Sequence, residues 1–191
     1  DDFFVTKEPH IVYLGVPEGV KSSWQNNDNT NKSIAYAEHQ YNTSGGAICL
    51  QEISTTKNGT TYYKFTIPAG WNNFRFELKK DGEHGEYDTY PIHATIRFPY
   101  GIPTDENNCF TLTEKVGYEF QGTWGKAPTC HIKAGYTDVG RYGIKDHNGK
   151  IHYAIVGTSA EFDVPFGSQV EVLEGEPGNS SYTGTIGLRS L

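Results

Sequence analysis

The amino-acid sequence predicts an all-β protein, and three observations carry this prediction. The 191 residues include 13 Tyr, 10 Phe, 3 Trp and 22 Gly but no Met, a composition that favours strands and turns over helices. Short runs of alternating apolar residues are separated by Gly, Pro and Asn. The pair Asn58-Gly59 is the strongest hairpin signal in the sequence. We expect an antiparallel β-sandwich of the immunoglobulin-like type, followed by a smaller β unit.

Five strands are predicted in the first eighty residues, because turn residues interrupt the apolar alternation at regular intervals. The last of them places Phe74, Phe76 and Leu78 on one face. The predicted strands are Ile11 to Pro17, Ile34 to Tyr41, Ala47 to Ile53, Thr60 to Ile67 and Trp71 to Leu78.

A change in composition after Pro128 predicts a boundary between two units, residues 1–127 and 128–191. A short strand, Cys109 to Thr113, is expected before this boundary. Further strands are expected near residues 153–156, 160–164 and 169–173. About sixty residues form a marginal core, so the second unit should pack on the first or belong to a longer protein.

Charge and hydropathy exclude several classes of partner. Sixteen Lys and Arg against 23 Asp and Glu give a net charge of −7, and the sequence has no basic run. A nucleic-acid binder would need such a run, so nucleic acid is not an expected partner. No apolar stretch approaches the roughly 18 residues of a membrane span, so insertion into a membrane is not expected either.

The three cysteines, Cys49, Cys109 and Cys130, form no Cys-x-x-Cys pair, so they do not indicate a zinc site. Two interpretations remain: one bridge between Cys109 and Cys130, or three separate thiols.

Motifs for catalysis are missing from the sequence. It has no Gly-x-Ser-x-Gly elbow, His-Glu-x-x-His, phosphate-binding loop or dinucleotide-binding glycines. The acidic stretch with Glu83, His84, Glu86 and Asp88 is either a carboxylate or calcium site or a solvated loop, and loops of this kind are mostly solvated. We therefore expect no enzyme activity and no cofactor.

Three histidines in the last third of the sequence, His131, His147 and His152, are close to one another. No helical i, i+4 spacing holds them together, which favours dispersed surface histidines over a metal site.

Aromatic residues on the first two strands and the intervening loop point to a sugar ligand. The rings are Tyr13, Trp24, Tyr36 and Tyr41, and polar residues such as Lys32 and His39 lie among them. A pyranose has an apolar face that stacks on an aromatic ring and hydroxyls that bond to polar side chains. The alternative is that these rings form an ordinary core, where strand aromatics usually lie.

The order of motifs over roughly residues 10–126 resembles the starch-binding modules of carbohydrate-binding families 25 and 26. The matching segments are Tyr13-Leu14, Trp24, Ile34-Ala-Tyr-Ala37, Thr61 to Gly70, and Asn72 to Phe76. Ile102 to Phe110 and Gly122-Thr-Trp124 resemble the end of related bacterial surface modules.

This resemblance implies a non-catalytic sandwich that binds starch or another α-glucan by stacking on two tyrosines and a tryptophan. It assigns the tryptophan to Trp24 and the first tyrosine to Tyr36, with Tyr13 or Tyr41 as the other.

The segment Phe162 to Val170 resembles strands of small β repeats in bacterial cell-surface proteins. Both resemblances imply an extracellular or cell-surface bacterial protein, which in a longer polypeptide would sit beside other modules. The alternative function, from another class, is a structural or adhesive surface domain that binds protein.

Overall fold

A computed structural model of the protein describes residues 8–20, 34–39, 48–71, 74–79, 96–97, 106–117, 119–134, 141–155, 158–173 and 184–186. Internal contacts divide the protein into two compact units, Asp1–Ala127 and Pro128–Leu191. This division coincides with the boundary expected from the sequence. The described part of each unit is built from strands, in agreement with the predicted all-β class.

Nine strands are described in the first unit, and a single helical turn follows β1 at residues 18–20. The strands are β1 (His10–Pro17), β2 (Ile34–His39), β3 (Ile48–Leu50), β4 (Ile53–Lys57), β5 (Thr60–Ile67), β6 (Phe74–Lys79), β7 (Ile96–Arg97), β8 (Cys109–Val116) and β9 (Glu119–Gly125).

A five-stranded sheet of the first unit has the order β4-β5-β1-β8-β9. β1 is antiparallel to β5 along its whole length, from His10 opposite Ile67 to Pro17 opposite Thr60. On its other side β1 is parallel to β8, with Tyr13 opposite Cys109. Among the described pairs of this sheet, β1–β8 is parallel and the others are antiparallel. Two neighbouring parallel strands need a long connection between them. The segment between β1 and β8 provides this connection, and it contains the strands of a second sheet.

The hairpin between β4 and β5 is the one that Asn58-Gly59 predicts. Both turn residues have positive φ, 52° for Asn58 and 78° for Gly59, as the two-residue turn that matches strand twist requires. Lys57 pairs with Thr60 on either side of the turn, which fixes the register of the two strands.

The second sheet of this unit has the order β3-β2-β6-β7 and is antiparallel throughout the described pairs. One hydrophobic core takes side chains from both sheets, as a sandwich requires. The sandwich arrangement and its immunoglobulin-like type stay predictions. The buried members of the core are Val12, Leu14, Val16, Ala35, Ala37, Tyr63, Phe65, Ile67, Trp71, Phe74, Phe76, Phe110, Leu112 and Phe120.

The predicted third strand, Ala47 to Ile53, is two strands in different sheets. The backbone changes partner between residues 51 and 52: Gln51 N donates to Ala35 O of β2 at 3.0 Å, whereas Glu52 N donates to Lys64 O of β5 at 2.9 Å. Gln51 also uses its side chain, because Oε1 accepts from Ala35 N at 2.7 Å. Gln51 therefore holds the backbone to β2 at the place where the backbone passes from the second sheet to the first.

Six strands are described in the second unit, in a two-stranded sheet, β10-β13, and a four-stranded sheet, β12-β11-β14-β15. Their fully buried side chains include Cys130, Ile144, Ala154, Val164 and Val170. The strands are β10 (Thr129–Ala134), β11 (Arg141–Lys145), β12 (Ile151–Ile155), β13 (Ala160–Pro165), β14 (Val170–Val172) and β15 (Gly184–Ile186).

None of the helices found among the described residues has the length and apolar character needed to cross a membrane.

Candidate functional site

The outer face of the second sheet is the candidate site of the first unit. We use this name for positions 36 and 38 of β2, 48 and 50 of β3, and 75 and 77 of β6. Strand residues alternate between the two faces of a sheet, and Ala35, Ala37, Phe74 and Phe76 occupy the core face with no exposure. The named positions therefore belong to the other face.

An ion pair crosses this face between neighbouring strands. Glu38 lies directly opposite Arg75 in the ladder. Arg75 donates from Nε at 2.9 Å and from Nη2 at 2.6 Å, and both bonds end on Oε2 of Glu38. The guanidinium therefore leaves Oε1 of the carboxylate unengaged. The side chains of Arg75 and Glu38 are 26% and 19% exposed, so the ion pair is partly shielded from water. Hydrogen bonds from two donor atoms of Arg75 fix its geometry.

An apolar strip lies beside the ion pair on the edge strand β3. Leu50 is 45% exposed, and Ile48 is half-buried. Position 36 lies opposite Leu50 on one side and opposite Glu77 on the other. The backbone thus places position 36, a tyrosine, between exposed Leu50 and position 77, a glutamate. Position 36 lies two residues from Glu38 on the same strand.

This arrangement combines an apolar surface with fixed charged groups on one face. A ligand that has both an apolar side and hydroxyl groups can contact the two together. The thiols of Cys49 and Cys109, by contrast, offer no nucleophile, because burial raises the pKa of each to about 11. Both stay protonated at neutral pH, and Cys49 Sγ donates to Thr66 O at 3.2 Å.

The sequence prediction for Tyr13 is wrong, because this residue is 1% exposed and cannot stack on a sugar. Tyr13 lies on the central strand of the first sheet, opposite Lys64 in β5 and Cys109 in β8. Both neighbours are themselves buried, at 9% and 1% exposure. Tyr13 is buried, but the core shared by the two sheets takes its neighbours Val12 and Leu14 instead.

Tyr36 and His39 are predicted from the sequence to act on one ligand, and the register gives the two positions different neighbours. His39 lies opposite Phe74, a core residue, whereas Tyr36 lies opposite Leu50 and Glu77. The two positions belong to opposite faces of the sheet, so position 36 alone belongs to the outer face.

The remaining predicted ligand residues, Trp24, Lys32 and Tyr41, lie outside the described residues. The same holds for the acidic stretch Glu83 to Asp88.

Sequence reasoning did not single out Leu50 and Arg75 as parts of a site. A signal for Arg75 was present, because Phe74 to Lys79 alternates apolar and charged residues strictly and so separates a core face from a charged face.

The histidines of the second unit are held by neighbouring acids. His131 Nδ1 lies 2.9 Å from Asp163 Oδ1, and its Nε2 lies 2.8 Å from Glu161 Oε1. These hydrogen bonds raise the pKa of His131 above its ordinary value of 6.5, and the bond with Glu161 has the larger effect. Both ring nitrogens must donate to satisfy two carboxylates, so the charged form is the one that fits.

His152 belongs to a separate cluster at the hairpin between β11 and β12. Its Nε2 lies 2.8 Å from Asp146 Oδ2, and its ring stacks on Phe162 with 3.8 Å between centroids. Asp146 Oδ1 accepts from Asn148 N at 2.9 Å and Lys150 N at 3.0 Å. This carboxylate closes the turn, which is a structural role.

The three cysteines are free thiols, so the interpretation of three separate thiols is the one that the structure supports. Within the described ranges, no group of three or more His, Cys, Asp or Glu is placed to hold a metal ion.

Comparison of the sequence and fold with protein-family models, curated proteins and solved structures finds no match.

Proposed function

We propose that the first unit is a non-catalytic glycan-binding module, with starch-like α-glucan as its ligand, and that the outer face of the second sheet is its binding surface. The observation that supports this proposal is the neighbourhood of position 36: exposed Leu50 on one side and the Glu38–Arg75 pair one step along the sheet.

The chemistry of the surface fits a pyranose. Leu50 offers an exposed apolar area opposite a tyrosine position, and a tyrosine ring can stack on the C–H face of a sugar. Oε1 of Glu38 is free of the Arg75 guanidinium and can accept a hydrogen bond from a sugar hydroxyl. The choice of α-glucan among sugars comes from the resemblance of the motifs to starch-binding modules.

A shallow surface of this kind implies modest affinity. Stacking on one face buries little area, and desolvation of hydroxyls offsets much of each hydrogen bond. In a surface protein outside the cell, several such modules in one polypeptide would raise the affinity by avidity.

Isothermal titration of the full-length protein with maltoheptaose tests the proposal. We expect the wild type to bind, and Tyr36→Ala and Trp24→Ala to lose about ten-fold or more in affinity, because each removes a stacking ring. Tyr153→Ala is the matched control, since Tyr153 is 47% exposed but belongs to the second unit. A wild type without measurable heat of binding, or a Tyr36→Ala variant with unchanged affinity, would overturn the proposal.

A second candidate, a structural or adhesive domain that binds protein, is supported by a different observation. Tyr153 and Ile155 on β12 are 47% and 45% exposed, and β12 lies at the end of the described strand order of its sheet. Exposed aromatic and branched residues are common at protein contacts. This candidate predicts that amylopectin retards neither the wild type nor Tyr36→Ala in affinity electrophoresis.

A further inference from the structure

We propose that Asn58 is a site of spontaneous deamidation, and that the fold directs this modification to Asn58 in preference to Asn148. The sequence has two Asn-Gly pairs, Asn58-Gly59 and Asn148-Gly149. Both lie in exposed hairpin turns, so sequence and exposure alone do not distinguish them.

The reaction is an intramolecular attack that needs no enzyme. The backbone nitrogen of the glycine attacks the asparagine Cγ and forms a new C–N bond. The bond between Cγ and Nδ2 breaks, and ammonia leaves with the proton of the backbone amide. Water then opens the cyclic imide at one of its two carbonyls, which gives aspartate or isoaspartate without any change in oxidation state. Glycine favours the attack because it has no Cβ to hinder approach.

The attacking nitrogen differs between the two turns. Gly149 N donates a hydrogen bond to Asp146 O at 3.0 Å. Asn148 N is also held, by Asp146 Oδ1 at 2.9 Å. An amide nitrogen that donates a hydrogen bond must break it before it can attack, and breaking it costs free energy.

At the other turn, Gly59 N makes no hydrogen bond to any described residue. The contact that Gly59 does make uses its carbonyl, which accepts from Glu18 N at 2.8 Å. Both Asn58 and Gly59 are exposed, so water reaches the imide. Asn58 is also the described residue other than glycine that has a positive φ, 52°. These differences favour reaction at Asn58.

The product would disturb the hairpin. Aspartate tolerates positive φ and would leave the turn in place. Isoaspartate adds one carbon to the backbone, and a two-residue turn fixes the register of β4 and β5. Aged protein that carries isoaspartate should therefore unfold at a lower temperature than fresh protein.

The test is peptide mapping by mass spectrometry after incubation of the full-length protein in mildly alkaline buffer at physiological temperature. We expect conversion at Asn58 to exceed conversion at Asn148 several-fold throughout the time course. The same protein in concentrated urea is the control: both pairs are then unfolded and should convert at similar rates. Asn58→Asp controls for charge, and it should melt like fresh wild type while the isoaspartate form melts lower.

Equal conversion of the two asparagines in the folded protein would overturn the proposal, and so would faster conversion at Asn148. Persistence of intact Asn58 in folded protein, over a period in which urea-unfolded protein converts, would overturn it as well.

Discussion

The side chain of His131 is held by hydrogen bonds to two acidic side chains. Glu161 and Asp163 both lie across the β10–β13 ladder from it, and Lys133 is the basic neighbour opposite Glu161. Glu161 itself has a lowered pKa, chiefly because of its bond to His131. His131 and Glu161 thus stabilise each other's charged form at the surface.

The titration of His131 should therefore occur above its ordinary pKa of 6.5. A raised pKa in the folded protein means that the ionic contacts contribute fully below pH 6.5 and are lost as the pH rises through the raised value. NMR titration of the imidazole should give a lower pKa in Glu161→Gln than in wild type, and a smaller decrease in Asp163→Asn. Identical titration curves for the three proteins would contradict this assignment.

Asp146 should matter more for stability, because its side chain is 10% exposed. Burial raises its pKa, but the hydrogen bonds from His152, Asn148 and Lys150 outweigh burial and hold the pKa below 3.8. Its contribution is therefore present above pH 3.8 and lost as the pH falls through the lowered value.

We expect Asp146→Ala to cost about 1–3 kcal/mol in urea unfolding at neutral pH, because it leaves three donors without their acceptor. Glu171→Ala is the control: Glu171 pairs with Lys145 at 3.9 Å, both exposed, so its loss should cost less than about 1 kcal/mol. Equal losses for the two variants would show that the turn does not depend on Asp146.

Single residues were the hardest part of the candidate site to predict. A tyrosine on a strand fits a core and a binding surface equally well, and sequence alone did not show that Tyr13 lies on a central strand between Lys64 and Cys109. The face of position 36 could be predicted once β2 was recognised, since its two alanine neighbours are buried on the core face. The position of His39 opposite Phe74 depends on strand register, which proximity in the sequence does not show.

Strand elements were predictable wherever turn chemistry ends an alternating run. β5 matches its predicted range because Asn58-Gly59 precedes it and Pro68 follows it. β6 begins at Phe74, later than the predicted Trp71. The split of the third strand was not predicted, because no Gly, Pro or Asn separates Ile48 from Ile53, although the pairing partner changes at Gln51. The parallel pairing of β1 with β8 is a long-range contact that no local pattern encodes.

Glycines in β9 give a matched test of strand packing. A Cβ at Gly122 would come within 2.6 Å of Thr111 O and 2.5 Å of the Phe110 ring, whereas a Cβ at Gly125 would meet nothing within 4 Å. Gly122→Ala should therefore cost about 1–3 kcal/mol. Gly125→Ala should be neutral or stabilise by up to about 1 kcal/mol. Thermal or urea unfolding measures both, and equal stabilities would contradict the close approach at Gly122.

Each of the two units buries apolar side chains of its own strands. Phe76 has no exposure in the first core, and its ring centroid lies 5.0 Å from that of Phe65. Ile144 has no exposure in the second unit. The contacts divide the protein at the place where the composition of the sequence changes.

Hydrogen exchange of the full-length protein tests this division. Phe76→Leu should reduce stability by about 1–2 kcal/mol and speed exchange in the strands of the first unit. Ile144→Val should cost about 0.5–1.5 kcal/mol and speed exchange in the second unit. Each variant should leave the other unit's slowest amides unchanged, and equal acceleration in both units would mean that they unfold as one.

The glycan proposal concerns the first unit alone, and mapping a ligand onto the backbone tests it most directly. Maltoheptaose would be titrated into isotope-labelled full-length protein and followed by amide NMR. The shift changes should saturate and cluster in β2, β3 and β6, around residues 36, 38, 50 and 75, with the second unit unaffected. A spectrum that does not change, or changes centred on β12 instead, would contradict it.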